Sequence, residues 1–100
     1  MYWQMLMQLL LDFNNGLIFQ WMSIQQINKT INAQETATAA VSYPITVNAN
    51  GLRFPGSRNV HITISTIEPT HSGCKLSAKC TKTSGSTDWE QCFLLFISWI

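Results

Sequence analysis

Two acidic side chains form the pattern in this sequence that comes closest to a catalytic site. Asp88 and Glu90 are two residues apart, so both lie on one side of any strand that contains them. Glycosidases use paired carboxylates as acid and base. This pair, however, directly follows a turn-like stretch rich in Ser, Thr and Gly, where carboxylates are usually solvated. The sequence also lacks a Gly-x-Ser-x-Gly nucleophile motif, and we therefore predict that the chain is not an enzyme.

The thiol and imidazole side chains do not form a recognisable metal site. The spacing of His71, Cys74 and Cys80 matches no standard zinc pattern, and Cys92 would have to converge from a separate strand. An odd number of cysteines also cannot close a disulfide framework. The sequence therefore predicts buried, reduced thiols, with no metal and no cofactor.

Candidate ligand-binding residues occur in the polar segments between apolar runs. Arg53 and Arg58 flank Phe54-Pro55-Gly56, and two guanidinium groups in one loop can hold an acidic sugar or a phosphate. Trp89 stands between two carboxylates, which predicts an exposed indole suited to stacking on a sugar or to a protein contact. The candidate ligand-binding set is Trp89, Arg53, Arg58 and His71. The alternative for Trp89 is an ordinary exposed aromatic residue, and the alternative for the two arginines is an ordinary solvated loop.

The composition favours a small domain that associates with copies of itself. The 100 residues suffice for one core. Hydrophobic residues make up 46% and charged residues only 11%, whereas ordinary domains have about 25% charged residues. Association would cover apolar surface that so few charges leave poorly solvated. The net charge of +1, without runs of like charge, predicts no nucleic-acid partner. The apolar runs are shorter than the roughly 20 residues that span a bilayer, so we expect no membrane insertion.

Hydrophobic periodicity divides the chain into two parts. Residues 1–13 are predicted to hold a short apolar helix or leader of unclear role, because helical spacing links Tyr2, Met5, Leu6, Leu9 and Leu10. From residue 14 onward the period changes to two, and turn residues separate short strands, with a loop predicted over residues 48–59. Residues 14–100 are therefore predicted to form an all-β domain, an antiparallel β-sandwich.

Three apolar patterns predict which strand faces are buried. Alternation predicts that Val60, Ile62 and Ile64 point inward, and that a second strand buries Cys74, Leu76, Ala78 and Cys80. Residues 93–100 are apolar on both faces, which predicts a strand at a sheet centre or at a subunit interface. We expect a homotrimer whose interface includes Phe93, Leu95, Ile97 and Trp99.

Three segments give the chain a resemblance to a known family. They are Asn15-Gly16-Leu17-Ile18-Phe19-Gln20-Trp21, Val41-Ser42-Tyr43-Pro44-Ile45 and Phe96-Ile97-Ser98-Trp99-Ile100. In order and spacing they resemble the C-terminal domain of phage and prophage tail-fibre proteins, over roughly residues 14–100. Met22 departs from the glycine that usually follows the Gln-Trp pair, and residues 1–13 do not resemble a fibre shaft. The family is similar to the H-type lectins, which implies a trimeric β-sandwich that binds sugars.

The resemblance implies a role in host recognition. It implies a fibre-tip module that trimerises and binds a host cell-surface glycan or lipopolysaccharide, without catalysis. Such a module would belong to the tail fibre of the virion and would be made in the cytoplasm of the bacterial host. The alternatives are a purely structural module that trimerises or caps the fibre, and a truncated prophage remnant.

Overall fold

The chain folds into antiparallel β-strands. A computed structural model describes residues 4–12, 17–43 and 51–99, with side chains in the second and third of these ranges. The strands are β1 (Gln4–Asp12), β2 (Leu17–Gln25), β3 (Lys29–Asn32), β4 (Thr36–Ser42), β5 (Leu52–Gly56), β6 (Ile62–Ile67), β7 (Gly73–Cys80), β8 (Ser86–Trp89) and β9 (Cys92–Trp99). These residues contain no helix. The predicted all-β, antiparallel class is confirmed. Parts of the three family-like segments, namely Asn15-Gly16, Pro44-Ile45 and Ile100, lie outside the described residues, as do residues 48–50 of the predicted loop.

The strands form three sheets. The large sheet has the order β1-β2-β9-β5, the small sheet has the order β4-β7-β6, and β3 pairs with β8. β9 has a hydrogen-bonded neighbour on each side, which confirms the central position predicted from its apolar sequence.

One long two-stranded ribbon, formed by β2 and β3 on one side and by β8 and β9 on the other, runs through two of these sheets. β2 pairs with β9, and just beyond this ladder β3 pairs with β8 in a different register. At the interruption the Ile27 amide donates to the Glu90 carbonyl at 3.0 Å. The backbone is left-handed on both sides of Ile27, at Gln26 (φ 61°) and Asn28 (φ 54°). The ribbon is therefore bent where the register changes.

Both larger sheets contribute side chains to one hydrophobic core. In β9 the buried positions alternate with half-buried or exposed ones, and the buried set is Cys92, Leu94, Phe96 and Ser98. The inward set predicted for β7 is confirmed, with burial of Cys74, Leu76, Ala78 and Cys80. Ile62 is buried as predicted, and Ile64 packs half-buried against the core. Val60 is 86% exposed, so its predicted burial is wrong, because β6 begins only at Ile62.

The segment predicted as an N-terminal helix forms β1, so the helix prediction is wrong for residues 4–12. Six of the nine residues there are apolar and fall on both faces of an extended strand, so the pattern is compatible with a two-sided strand as well as with a helix. A helix of about three turns is marginal alone. The strand instead pairs with β2 from Gln4–Gln25 to Asp12–Ile18, and the ladder satisfies the backbone of both strands.

Part of the loop predicted over residues 48–59 is strand β5. Pro55 is compatible with β5 because β5 is the edge strand of the large sheet, where a missing N–H need not break a ladder. Gly51 allows β5 to approach β9 closely. A Cβ at Gly51 would lie 2.4 Å from the Ile97 carbonyl oxygen and 2.4 Å from the Phe96 ring.

Candidate functional site

Trp89, which the sequence predicts to be exposed, is buried. Only 1% of its surface is accessible, so that prediction is wrong and no ring face is open for stacking. Trp89 lies on the inward-facing side of β8. The alternation of side chains along the strand buries it, although both of its neighbours are acidic. The indole Nε1 has no well-aligned hydrogen-bond partner among the described residues. Its contact with the Cys92 thiol partly offsets the rise in the pKa of that thiol caused by burial.

Arg53 lies in a packed cluster rather than in the predicted loop. Its Nε donates to the Tyr43 phenol oxygen at 2.8 Å, and its Nη1 donates to the Gly51 carbonyl at 3.1 Å. Its guanidinium carbon lies 4.3 Å from the centre of the Phe96 ring, which stacks on Tyr43 at 4.5 Å. Burial raises the pKa of Tyr43 to about 12, although Arg53 acts to lower it. These contacts hold the guanidinium in place between β5 and the core.

Arg58 and Trp89 are the two predicted ligand residues that the structure brings together. They line a cleft of about 130 Å³, whose other lining residues are Ser57, Asn59, Asp88, Glu90 and Gln91. The Arg58 guanidinium lies over the Phe93 ring, 5.7 Å from its centre. Asn59 fixes one wall, because its Nδ2 donates to the Thr87 hydroxyl at 2.9 Å and to the Asp88 carbonyl at 3.0 Å.

A second cleft of about 220 Å³ is lined by Asn28, Lys29, Thr30, Asp88 and Glu90. Asp88 and Glu90 line both clefts, and we call the pair of clefts the double cleft. The Thr30 hydroxyl donates to Asp88 Oδ1 at 3.0 Å. Lys29 Nζ donates to the Thr38 carbonyl and is thereby held against β4.

The remaining candidate, His71, lies in the exposed loop between β6 and β7 and does not line the double cleft. Asp88 and Glu90 are both exposed, as the solvated interpretation predicts, and both line the two clefts. Apart from Trp89 and Gln91, the other lining residues come from residues 28–30 and 57–59, far apart in sequence. Strand pairing brings these distant segments together. The spacing of Asp88 and Glu90 is therefore the one sign of the double cleft that the local sequence provides.

The second face of the large sheet is apolar. Phe93, Leu95 and Ile97 alternate with the core positions of β9 and are half-buried, while Trp99 is 49% exposed. On the neighbouring edge strand, Leu52 and Phe54 are 60% and 52% exposed and pair with Ile97 and Leu95. We call this surface the outer face; on the β2 side it includes Leu17, Phe19 and Trp21. Trp21 stacks on Phe93 at 6.4 Å.

The thiols are free and buried at Cys74, Cys80 and Cys92, as predicted. Burial raises the pKa of Cys92 to about 12 and also raises the pKa of Cys74. In the described ranges, no group of three or more His, Cys, Asp or Glu side chains is placed to hold a metal ion. The same ranges contain no helix that is long and apolar enough to cross a membrane.

Comparison of structures, but not of sequences, finds known proteins similar to this chain. No protein-family model and no curated protein sequence matches the chain. The structure is similar to a C-terminal fragment of the P. aeruginosa R1 pyocin fibre, with a TM-score of 0.61 and 14% identity over 86% of this chain and 24% of the fragment. It is also similar to an N-truncated R1-type pyocin tail fibre, with a TM-score of 0.57 and 13% identity over 84% of this chain and 71% of that one. The chain thus spans about a quarter of the first fibre fragment, and its fold is that found in the C-terminal part of a tail fibre, as the resemblance predicts.

Proposed function

We propose that the chain is a tail-fibre tip module that trimerises and binds a glycan or lipopolysaccharide on the host surface, without catalysis. In this proposal the two larger sheets pack as a sandwich and residues 14–100 form the tip domain. The module belongs to the virion tail fibre after synthesis in the cytoplasm of the bacterial host. The receptor is held by shape and hydrogen bonds, and several weak sites on one rigid tip gain by avidity.

The exposed apolar outer face is the observation that supports the proposed trimer. Leu52, Phe54 and Trp99 are each about half exposed or more on one continuous apolar sheet face. A soluble monomer rarely leaves such a surface uncovered. Copies of the same chain are the partners that we propose, since a similar fold occurs in the C-terminal part of a pyocin fibre and most soluble oligomers are built from identical chains.

Light scattering tests the trimer. We expect a mass of about three times the 11.3 kDa chain at micromolar concentration. The double variant Leu52→Glu/Phe54→Glu should reduce the mass to that of a folded monomer, because it places charge in the interface. The matched control is Val60→Glu, since Val60 is 86% exposed but lies outside the outer face. A wild-type chain that stays monomeric under these conditions would contradict the proposal.

The purely structural module is the alternative that a specific observation favours. Trp89 and Arg53, two of the four residues predicted to contact a ligand, are engaged in packing. Binding of labelled trimer to bacterial cells and to purified lipopolysaccharide separates the two functions. Saturable binding supports the receptor-binding tip, whereas a stable trimer that binds neither supports a structural cap.

A further inference from the structure

We infer that the double cleft beside Asp88 and Glu90 binds an uncharged saccharide. This inference rests on the proposed receptor-binding function and goes beyond it by placing the site and naming the ligand chemistry. It differs from the sequence-based expectation of arginine forks that hold an acidic sugar.

The lining of the double cleft suits hydroxyl groups. The exposed carboxylates of Asp88 and Glu90 accept hydrogen bonds, and the amides of Asn28 and Gln91 both donate and accept. A sugar ring presents several hydroxyls that donate to such carboxylates in charge-assisted hydrogen bonds. Two adjoining clefts that share one acidic pair therefore offer acceptors to successive parts of a saccharide.

The charges in the double cleft disfavour an anionic sugar. Lys29 and Arg58 also line the double cleft and keep their charges, but they only balance the two carboxylates and leave no excess of positive charge, and each has a contact of its own with the Thr38 carbonyl or the Phe93 ring. Arg53 is held in the separate cluster with Tyr43. The carboxylate of a sialic or uronic acid would meet Asp88 and Glu90 at close range, and like charges repel.

Several contacts hold the double cleft in shape before a ligand arrives. Thr30 fixes the Asp88 carboxylate and Asn59 fixes the backbone of the same residue. Trp89 lies buried between the two acidic residues and anchors them to the core. A preorganised site loses less conformational entropy on binding. Trp89 itself lines the first cleft, while its buried indole Nε1 contacts the Cys92 thiol.

Binding of the full chain to a glycan panel tests this inference. The probes are neutral hexose and N-acetylhexosamine oligosaccharides, set against sialylated and uronic-acid oligosaccharides. We expect binding to neutral probes, weakened by about tenfold or more in Glu90→Gln and Asp88→Asn, because each loses a charge-assisted acceptor. The matched control is Glu35→Gln, an exposed carboxylate that does not line the double cleft. Circular dichroism and light scattering verify that each variant keeps its fold and mass, and Glu90→Gln suffices if Asp88→Asn does not fold.

Three results would overturn the inference. Neutral binding that survives in both cleft variants rejects the double cleft but leaves the receptor-binding function intact. Preferential binding of sialylated or uronic-acid probes, weakened by Arg58→Ala, rejects the uncharged ligand. A folded wild type that binds no probe, no cells and no lipopolysaccharide rejects the receptor-binding function together with the inference.

Discussion

The amide of Gln20 is fully buried on the core side of β2, and neither its nitrogen nor its oxygen has a hydrogen-bond partner among the described residues. An unpaired buried amide costs about 1–3 kcal/mol. Gln20→Met keeps the length of the side chain and removes the polar atoms. We expect it to raise the free energy of unfolding by about 1–3 kcal/mol, measured by urea denaturation with an unchanged m-value.

The control for Gln20 lies in the same strand. Gln25 is half-buried and its side-chain amide is not left buried without a partner. Gln25→Met should change the free energy of unfolding by less than about 0.5 kcal/mol. A loss of stability in Gln20→Met would mean that the amide makes a valuable hydrogen bond, for example to a buried water.

The thiol of Cys92 should make stability depend on alkaline pH. Burial raises the pKa of Cys92 from 9.0 to about 12 in the folded chain. Below pH 9 the thiol is protonated in both states, and its contribution to stability is fully present. Above pH 9 the unfolded chain loses this proton first, so the free energy of unfolding falls as the pH rises from 9 towards 12. Tyr43, whose pKa burial also raises to about 12, acts in the same direction.

Replacing the thiol isolates its share of this effect. Cys92→Ala should give a shallower fall in the free energy of unfolding across the same pH range, with a lower starting stability because a buried atom is lost. The measurement is denaturation at a series of alkaline pH values. Equal slopes in the wild type and in Cys92→Ala would show that the thiol does not titrate differently on unfolding.

At the scale of the element, docking of edge strand β5 depends on Gly51. A side chain there would collide with the Ile97 carbonyl oxygen at 2.4 Å, whereas nothing lies within 4 Å of a Cβ added at Gly56. Gly51→Ala should cost about 1–3 kcal/mol through strain at β9. Gly56→Ala, the matched control, should change stability by less than about 0.5 kcal/mol in thermal or urea unfolding. Equal effects of the two substitutions would contradict the close approach of β5 to β9.

Strand β6 offers a test of register. Ile62 is 7% exposed and lies in the core, whereas Val60, two residues earlier, is 86% exposed. Ile62→Ala should cost about 2–5 kcal/mol, and Val60→Ala should cost less than about 0.5 kcal/mol. A cost below about 1 kcal/mol for Ile62→Ala would place the strand in a different register, because a slip by one residue exchanges its two faces.

At the scale of the whole molecule, the proposed trimer links folding to association. Partners that bind only the folded chain stabilise it by mass action. The Tm should therefore rise by several degrees when protein concentration increases about a hundredfold. The double variant Leu52→Glu/Phe54→Glu should have a Tm that does not depend on concentration. A constant Tm in the wild type would argue that the outer face stays uncovered.

The sequence predicts elements where local pattern and burial agree. The alternation of β7 and the two-sided apolar run of β9 identify a half-buried strand and a central strand without knowledge of any partner. The sequence of β1 suits either a helix or a strand, and it forms a strand because it pairs with the edge of β2. The burial of Trp89 and the walls of the double cleft depend on segments distant in sequence, so the local composition of residues 88–90 predicts the exposure of Asp88 and Glu90 but not the burial of Trp89.

The central position of β9 also governs when the domain can fold during synthesis. β2 and β5 both pair with β9, which is translated after every other described strand. Until residues 92–99 leave the ribosome, the apolar faces of β2 and β5 lack their shared neighbour. The β6–β7 hairpin, whose strands are close in sequence, can pair earlier. Long-range pairing of this kind slows folding and leaves the apolar strands of the nascent chain open to aggregation until β9 has been synthesised.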